Sequence, residues 1–324
     1  MLKNKKSLAS MSVLFTILFS SIGAQETLAA FTYSDWMKDI PDSRKLAELS
    51  IPGTHDSGTF RLTESIKSVW SKTQEHDFRY QMDHGVRFFD IRGCVEDNNT
   101  IVLYHGPIFL HVTLHEFIED AKSFLKDYPS ETIIMSLKEE NKSGGNDAFA
   151  TTFENQYFRD PIFLKTEGNI TLEDSRGKIV LLRRYSGSRM AGGFRDFVWK
   201  NNETFTSRVN GHMKVTVQDK YNVTYEKKKE AIDSMLNETI ADATNSEHIH
   251  INFTSLSSGG AAWSSPYYYA SYLNSFAASK VKHENLKKPG AKAGWVVMDY
   301  LGDRWDPKLS ERVILANFPS FPLR

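Results

Sequence analysis

Residues 50–58 read Ser-Ile-Pro-Gly-Thr-His-Asp-Ser-Gly, an apolar segment that leads directly into a histidine and an aspartate. Apolar alternation over residues 47–51 predicts a short strand, which the following Pro-Gly pair is expected to end. His55 and Asp56 would then lie on the turn just past the carboxyl end of that strand. A side chain in that position is held by a rigid element and faces open space, which suits acid–base chemistry.

The same pattern, a short apolar run followed by a polar or charged residue, recurs along the chain. The eight predicted strands are residues 49–51, 86–89, 101–104, 133–137, 179–182, 215–217, 248–253 and 295–298. Helical patterns lie between several of them. A capping box at residues 113–116 predicts a helix that stops at Pro129, and residues 224–243 and 266–283 predict two more helices.

Strands that alternate with helices, with polar residues just past the strand ends, predict the α/β class and a single-domain (β/α)8 TIM barrel. We expect this barrel to be irregular, because too few residues around 97–99 separate the second and third strands for a crossover helix. The alternative architecture is an open doubly wound sheet. The absence of a glycine-rich phosphate loop after the first strand counts against it.

The amino terminus has the features of a secretory signal peptide. Three lysines within residues 3–6 precede an apolar run over residues 11–22, and small residues follow. We therefore predict a signal peptide at residues 1–23, cleavage between about residues 23 and 30, a mature domain over residues 31–324, and a secreted protein. The alternative is an amino-terminal membrane anchor, but the run is too short to span a bilayer.

Composition excludes some function classes. The 324 residues are 40% hydrophobic and 25% charged, with 40 basic and 40 acidic residues. Loss of the amino-terminal lysines would leave the mature protein mildly acidic, so we predict no nucleic-acid partner. Cys94 is the only cysteine, which rules out an intramolecular disulfide despite export. One cysteine and no cysteine/histidine cluster argue against a structural zinc site.

Nine polar residues follow the predicted strands and would converge on one mouth of a barrel. They are His55, Asp56, Asp90, Arg92, His105, Lys138, Arg184, Asp219 and Asp299. Two histidines, several carboxylates and several cations suit cleavage of a phosphodiester by a neighbouring hydroxyl. One histidine would act as general base and the other as general acid, while an arginine would hold the phosphoryl group. Carboxylates such as Asp56 and Asp299 would fix the histidine tautomers.

Divalent metal binding is the rival interpretation of this cluster, since two histidines and three aspartates could ligate an ion. Arg92 and Lys138 fall among the same strand ends, and fixed cations disfavour a divalent ion beside them. We therefore expect a site with no metal and no cofactor. A metal-dependent barrel phosphodiesterase and a secreted binding protein without catalysis remain the alternative functions. The histidine pair speaks against the second alternative.

Long segments of this chain resemble the bacterial phosphatidylinositol-specific phospholipase C family, most closely its secreted Bacillus members. These segments are residues 50–60 (SIPGTHDSGTF), 78–84 (FRYQMDH), 89–93 (FDIRG), 104–107 (YHGP), 131–138 (ETIIMSLK), 217–221 (VQDKY), 251–260 (INFTSLSSGG), 265–272 (SPYYYASY) and 294–300 (GWVVMDY). Together they span nearly the whole mature chain. The resemblance implies an irregular TIM barrel and metal-independent cleavage of a phosphodiester bond.

The resemblance also implies a catalytic role for five residues. His55, paired with Asp299, would be the general base that takes the proton from the inositol 2-hydroxyl. His105, supported by Asp56, would protonate the leaving diacylglycerol oxygen. Arg92 would bind the phosphate. The expected products are diacylglycerol and inositol 1,2-cyclic phosphate, and such enzymes also release proteins from glycosylphosphatidylinositol (GPI) anchors.

A second set of residues would recognise the substrate, again by resemblance. Inositol binding would fall to Lys138, Arg184 and Asp219, with Tyr221 stacking on the sugar ring. Asp90 would help to position the catalytic groups. The expected partners are thus phosphatidylinositol and GPI-anchored proteins, bound by a monomer.

A lipid substrate requires peripheral contact with a bilayer, and two aromatic segments are candidates for it. The predicted membrane-contact residues are Ile66, Trp70, Trp263, Tyr267, Tyr268, Tyr269 and Tyr272. Tryptophan and tyrosine favour the headgroup layer, and tyrosine faces can hold choline ammonium groups, so phosphatidylcholine is a plausible surface. The alternative is that these aromatics belong to the core. The lysine run at residues 227–229 is expected to be solvated surface.

Overall fold

A computed structural model describes residues 32–63, 66–96, 98–140, 147–187, 190–257, 265–302 and 308–319, without the side chains of residues 66–68. These residues belong to one compact unit. The predicted signal peptide and Trp263 lie outside the described residues, so both stay predictions.

The described strands form one strongly curled sheet of mixed direction. They are β1 (Ile51–Thr54), β2 (Phe88–Val95), β3 (Ile101–His105), β4 (Ile108–Thr113), β5 (Thr132–Glu139), β6 (Lys178–Arg184), β7 (Thr204–Val209), β8 (Met213–Gln218), β9 (His248–Phe253) and β10 (Trp295–Met298). Seven of them pair in parallel in the order β6-β5-β2-β1-β10-β9-β8. All eight predicted strands are confirmed, and so is the irregular barrel.

The irregularity lies where the sequence predicts it. β3 pairs antiparallel with both β2 and β4, so these strands form a hairpin extension and no crossover helix is needed. A second antiparallel strand, β7, pairs with β8. β4 and β7 were not among the predicted strands. The alternation of apolar and polar side chains over residues 204–209 is a signal for β7.

The helices cover the outside of the sheet. They are α1 (Ile66–Ser71), α2 (Phe78–Asp83), α3 (Leu114–Asp127), α4 (Ala148–Phe153), α5 (Leu172–Ser175), α6 (Tyr225–Ala241), α7 (Pro266–Lys287) and α8 (Leu309–Leu315), with short 3-10 helices at Tyr33–Asp39, Leu46–Glu48 and Thr59–Arg61 and a π-helical turn at Glu154–Phe158. The predicted capping box opens α3, because Thr113 Oγ1 accepts from the Glu116 N–H and Glu116 accepts from the Thr113 N–H. None of the described helices is long and apolar enough to cross a membrane.

The first strand begins later than predicted. Residues 46–48 form a 3-10 helix, and β1 includes the Pro-Gly pair that was expected to end it. Proline fits because the Pro52 carbonyl accepts the Arg87 N–H at 3.0 Å. Glycine is required next, since a Cβ at Gly53 would lie 2.9 Å from Phe88 Cβ. The two neighbouring strands therefore approach closely, and His55 follows β1 directly.

Candidate active site

A cavity of about 950 Å³ opens at the carboxyl ends of the parallel strands. Seven of the nine residues predicted to converge line it: His55, Arg92, His105, Lys138, Arg184, Asp219 and Asp299. Tyr221 lines it as well. Asp56 and Asp90 are buried against it. The eight side chains lie on or just after seven strands, with Asp219 and Tyr221 both following β8, so the sheet itself sets their mutual positions.

His55 and Asp299 form a hydrogen-bonded pair on adjacent strand ends. His55 Nδ1 lies 2.8 Å from Asp299 Oδ1, and the Asp299 side chain is only 2% exposed. Burial alone would lower the pKa of His55, but the charge and hydrogen bond of Asp299 outweigh it and raise this pKa above its ordinary value. The pairing fixes the ring with Nε2 free to take a proton.

His105 pairs with a second buried carboxylate, Asp56. Its Nδ1 contacts Asp56 Oδ2, and Arg92 Nη1 lies 3.6 Å from the same oxygen. Asp56 adopts a left-handed backbone conformation, with φ 42°, at the turn after β1. Burial would raise the pKa of Asp56, but the charges of Arg92 and His105 lower it overall. Adjacent residues in the chain, His55 and Asp56, therefore serve two different partners.

Asp90 holds two arginines at the floor of the cavity. Its Oδ2 accepts from Arg92 Nε at 3.0 Å and Nη2 at 2.7 Å, and its Oδ1 accepts from Arg184 Nη1 at 2.7 Å. Burial would raise the pKa of Asp90, but the two guanidinium charges lower it strongly. This buried carboxylate stays ionised and orients both cations.

The far wall of the cavity carries aromatic and polar side chains. Arg184 stacks on Trp199 at 3.5 Å from the ring centroid, and Trp199 Nε1 donates to Asp219 Oδ2 at 2.9 Å. The Tyr221 hydroxyl donates to the Asn201 amide oxygen at 2.7 Å. The sequence did not predict Trp199 as a residue of this site. The only sign of it in the sequence is its place in the loop before β7.

Lys138 lines the cavity from the end of β5, and its Nζ forms an ion pair with Glu140. This part of the cavity offers both an aromatic face and charged hydrogen-bond partners to a ring that carries several hydroxyl groups.

Lys228 corrects the expectation that residues 227–229 are all solvated. Its side chain is fully buried behind the site, and Nζ donates to Gln218 Oε1 at 3.0 Å. Gln218 in turn donates from Nε2 to Asn252 Oδ1 and to the Phe253 carbonyl. Burial lowers the pKa of Lys228 to about 7, although the charges of Asp219 and Asp299 oppose it. The lysine therefore belongs to the scaffold beneath the cavity.

Lys228→Met should flatten the dependence of stability on pH. Between pH 7 and 10 unfolded lysine carries a proton that buried Lys228 does not, so the stability of the wild type rises with pH through this window. One proton of difference over three pH units corresponds to roughly 4 kcal/mol of unfolding free energy. Urea unfolding at pH 7 and pH 10 measures the difference, with the exposed neighbour Lys227→Met as control. Equal pH dependence in both variants would contradict the burial.

The candidate membrane residues divide by exposure. Tyr268 and Tyr272 are 43% and 51% exposed and contact each other on α7, whereas Tyr267 and Tyr269 are half-buried. Trp70 is half-buried and lines the cavity. Ile66 begins α1, and its side chain lies outside the described residues, as does Trp263.

The arrangement suits transfer of protons around a phosphorus atom. Two histidines, each oriented by a buried carboxylate, line one cavity, and a fixed guanidinium lies among them. One ring can accept a proton while the other donates one, and the guanidinium can stabilise charge that develops on phosphate oxygens.

Comparisons with known proteins find enzymes similar to this chain. The model of the "Phosphatidylinositol-specific phospholipase C, X domain" family matches residues 49–185. A 1-phosphatidylinositol phosphodiesterase of Staphylococcus aureus (strain Newman) is 38% identical over 283 residues, or 84% of this chain and 89% of the relative.

Solved structures give the same result. A structure of the S. aureus phosphatidylinositol-specific phospholipase C, from work on the modulation of its membrane binding, is 37% identical with a TM-score of 0.82 and covers 88% of this chain and 98% of the relative. The Listeria monocytogenes enzyme is 29% identical with a TM-score of 0.66, over 87% of this chain and 98% of that structure.

Proposed function

The chain belongs to the phosphatidylinositol-specific phospholipase C family, and on that premise we propose that it cleaves phosphatidylinositol to diacylglycerol and inositol 1,2-cyclic phosphate without a metal ion. The observation that carries the proposal is the pair of buried carboxylates, Asp299 and Asp56, that orient His55 and His105 in one cavity. The fold and an enzyme of the phospholipase C type follow from the family.

The reaction begins at His55. Its Nε2 takes the proton of the inositol 2-hydroxyl, and that oxygen attacks the adjacent phosphorus to close a five-membered cyclic phosphate. Asp299 stabilises the imidazolium that forms. His105 then gives its proton to the diacylglycerol oxygen as the phosphorus–oxygen bond breaks. The protons balance, because one histidine gains what the other loses.

Arg92 stabilises the negative charge that develops on the phosphate oxygens in the transition state. Its guanidinium is held by Asp90 and lies near Asp56, so it is fixed before substrate binds. Burial would lower the pKa of Arg92, but these carboxylates raise it well above its ordinary value, and it stays charged at every working pH. A fixed monocation can thus take the place of a divalent ion.

Inositol is proposed to bind against the far wall. Lys138, Arg184 and Asp219 offer charged partners to its hydroxyl groups, while Tyr221 offers a ring face. Trp199 joins this set, because it orients both Arg184 and Asp219. The same headgroup occurs in GPI anchors, so release of GPI-anchored proteins belongs to the proposal, together with secretion and a monomeric state.

Asp299→Asn should move the acidic limb of the pH–rate profile to lower pH. The general base must be neutral, so kcat/KM rises as pH rises through the pKa of His55. Asp299 raises that pKa; without its charge, burial lowers it. The rate itself should fall about 10–10³-fold, since the tautomer is no longer held. A soluble inositol phosphate ester gives the profile. Tyr221→Phe, which changes no charge, is the control, and an unmoved limb in Asp299→Asn would contradict the pairing.

Peripheral membrane contact is proposed at the amino-terminal end of α7, where Tyr268 and Tyr272 are exposed and Pro266 lines the cavity. Changing both tyrosines to alanine should weaken binding to phosphatidylcholine-rich vesicles about five- to thirtyfold, because each exposed ring contributes about 0.5–1 kcal/mol to a choline contact. Turnover of the soluble ester should be unchanged. Leu286→Ala, an exposed apolar residue at the other end of α7, is the matched control. Equal loss on vesicles and soluble ester would overturn the interfacial role.

The proposed activity has a direct assay. Purified protein and phosphatidylinositol vesicles should release diacylglycerol, whereas phosphatidylcholine vesicles should not. No release from either lipid would leave the chain as a binding protein without catalysis, and release only with an added divalent ion would favour a metal-dependent phosphodiesterase.

A further inference from the structure

A second cluster of chemically active side chains lies at the opposite end of the sheet from the cavity. His248 and His250 alternate along the start of β9, so both face the same side of the strand. Glu238 and Asp242 lie one turn apart at the end of α6 and face the two histidines. Phe253, at the other end of β9, contacts His55, and His248 lies roughly 16 Å from Phe253 along the strand at about 3.3 Å per residue.

The atoms of this cluster have the spacing of a coordination site. His250 Nε2 lies 3.6 Å from Glu238 Oε1 and 3.8 Å from Asp242 Oδ2, and one donor atom each from Glu238, His248 and His250 lies within 4.8 Å of the others. Ligands around a tetrahedral zinc ion, at about 2.1 Å from it, are roughly 3.4 Å apart. To close around an ion, the cluster must open the 2.5 Å hydrogen bond between His248 Nδ1 and Asp242 Oδ2, and the other donor atoms need only small shifts.

His250 gives the strongest reason to expect a ligand. The residue is 1% exposed, and neither ring nitrogen has a hydrogen-bond partner among the described residues. A buried imidazole without partners is costly, and a metal ion would satisfy Nε2. His248 Nε2 contacts Thr216 Oγ1 at 2.7 Å, an outer contact of the kind that orients a metal-bound histidine while its Nδ1 faces Asp242.

The local charge also suits a cation. Two carboxylates, Glu238 and Asp242, lie near His250, and one ammonium group, Lys292, donates from Nζ to the His248 carbonyl at 3.4 Å. The cluster without metal therefore carries about one net negative charge if both histidines are neutral. Nitrogen and carboxylate donors together favour zinc and similar first-row ions over calcium or magnesium.

We propose that Glu238, Asp242, His248 and His250 form a structural site for one divalent transition-metal ion, with Zn²⁺ as the best match. The ion would join the end of α6 to the start of β9, at the face of the barrel where residues serve stability. This set is not a cysteine/histidine cluster, because it combines a His-x-His strand with carboxylates at the end of a helix. This metal site is independent of the proposed phospholipase C reaction.

The test uses the full chain without a histidine tag, treated with chelator and then dialysed against ZnCl₂ or CoCl₂. We expect one ion per chain by elemental analysis, the visible absorption of tetrahedral Co²⁺, and a Tm that rises by several degrees with Zn²⁺. Glu238→Gln, at an exposed carboxylate, should weaken Zn²⁺ at least about tenfold and abolish the Tm rise. His250→Ala should weaken Zn²⁺ binding in the same way. If His250→Ala fails to fold, the result for Glu238→Gln decides.

Glu226→Gln, at the exposed start of the same helix, is the control and should bind like the wild type. A Zn²⁺ affinity in Glu238→Gln equal to that of the wild type would overturn the proposal. So would zinc that is lost in His105→Ala, because the ion would then sit in the catalytic cavity.

Discussion

His55→Ala should lower kcat on phosphatidylinositol by about 10²–10⁴-fold, the range that a positioned general base contributes. His55 is the one imidazole of the described cavity lining that is paired with Asp299; the other, His105, pairs with Asp56 and is assigned the acid role. Initial rates of diacylglycerol release from vesicles at saturating lipid measure the loss. KM should change little, because the ring acts on the reacting hydroxyl.

The control for His55→Ala is a histidine outside the cavity. His212 lies in the turn before β8, is exposed and bonds only locally, so His212→Ala should retain full activity. Unchanged turnover in His55→Ala would remove the general base from the mechanism. A thermal unfolding curve that matches the wild type would show that the loss is chemical and not structural.

Arg92→Ala should cost about 10²–10⁴-fold in kcat, because a fixed guanidinium stabilises charge that appears only in the transition state. Arg92→Lys keeps the charge but loses the forked contact with Asp90, and should recover part of the rate. A drop smaller than about threefold in Arg92→Ala would exclude Arg92 from the mechanism.

Arg92 also neutralises buried carboxylates, so stability must be measured beside rate. Asp90 keeps Arg184 as a partner in Arg92→Ala, and Asp56 keeps His105. We therefore expect a folded variant with a lowered Tm. Arg61→Ala, which removes a surface arginine paired with Glu116, is the matched control and should alter neither rate nor product.

The sequence predicted those parts of the molecule that local chemistry sets. The capping box of α3 is a contact between residues three apart, and the polar residues at the strand ends follow from the alternation of apolar runs. The barrel then brings them together without further information, since parallel strands share one carboxyl face. Six of the seven predicted residues on the cavity wall follow this rule, whereas His105 ends the antiparallel strand β3 and reaches the cavity through the hairpin.

Other features depend on tertiary contacts that local patterns do not show. A lysine in a run of three is typical of the surface, yet Lys228 is buried, and Gln218 Oε1, on a strand ten residues earlier, accepts a hydrogen bond from its Nζ. Pro52 reads as the end of a strand, yet β1 includes it because the proline carbonyl still pairs with Arg87. The His248 and His250 pair reads as part of a buried strand, and only the approach of α6 shows its carboxylate neighbours.

The identity of the first phosphorus-containing product tests the central claim most directly. Purified protein is mixed with phosphatidylinositol vesicles in EDTA below the unfolding temperature, and phosphorus NMR follows the reaction. Attack by the inositol 2-hydroxyl, with His55 as base and His105 as acid, predicts inositol 1,2-cyclic phosphate as the first product, at a rate unaffected by the chelator. Direct appearance of inositol 1-phosphate, or loss of the reaction in EDTA that Ca²⁺ or Mg²⁺ restores, would contradict the account.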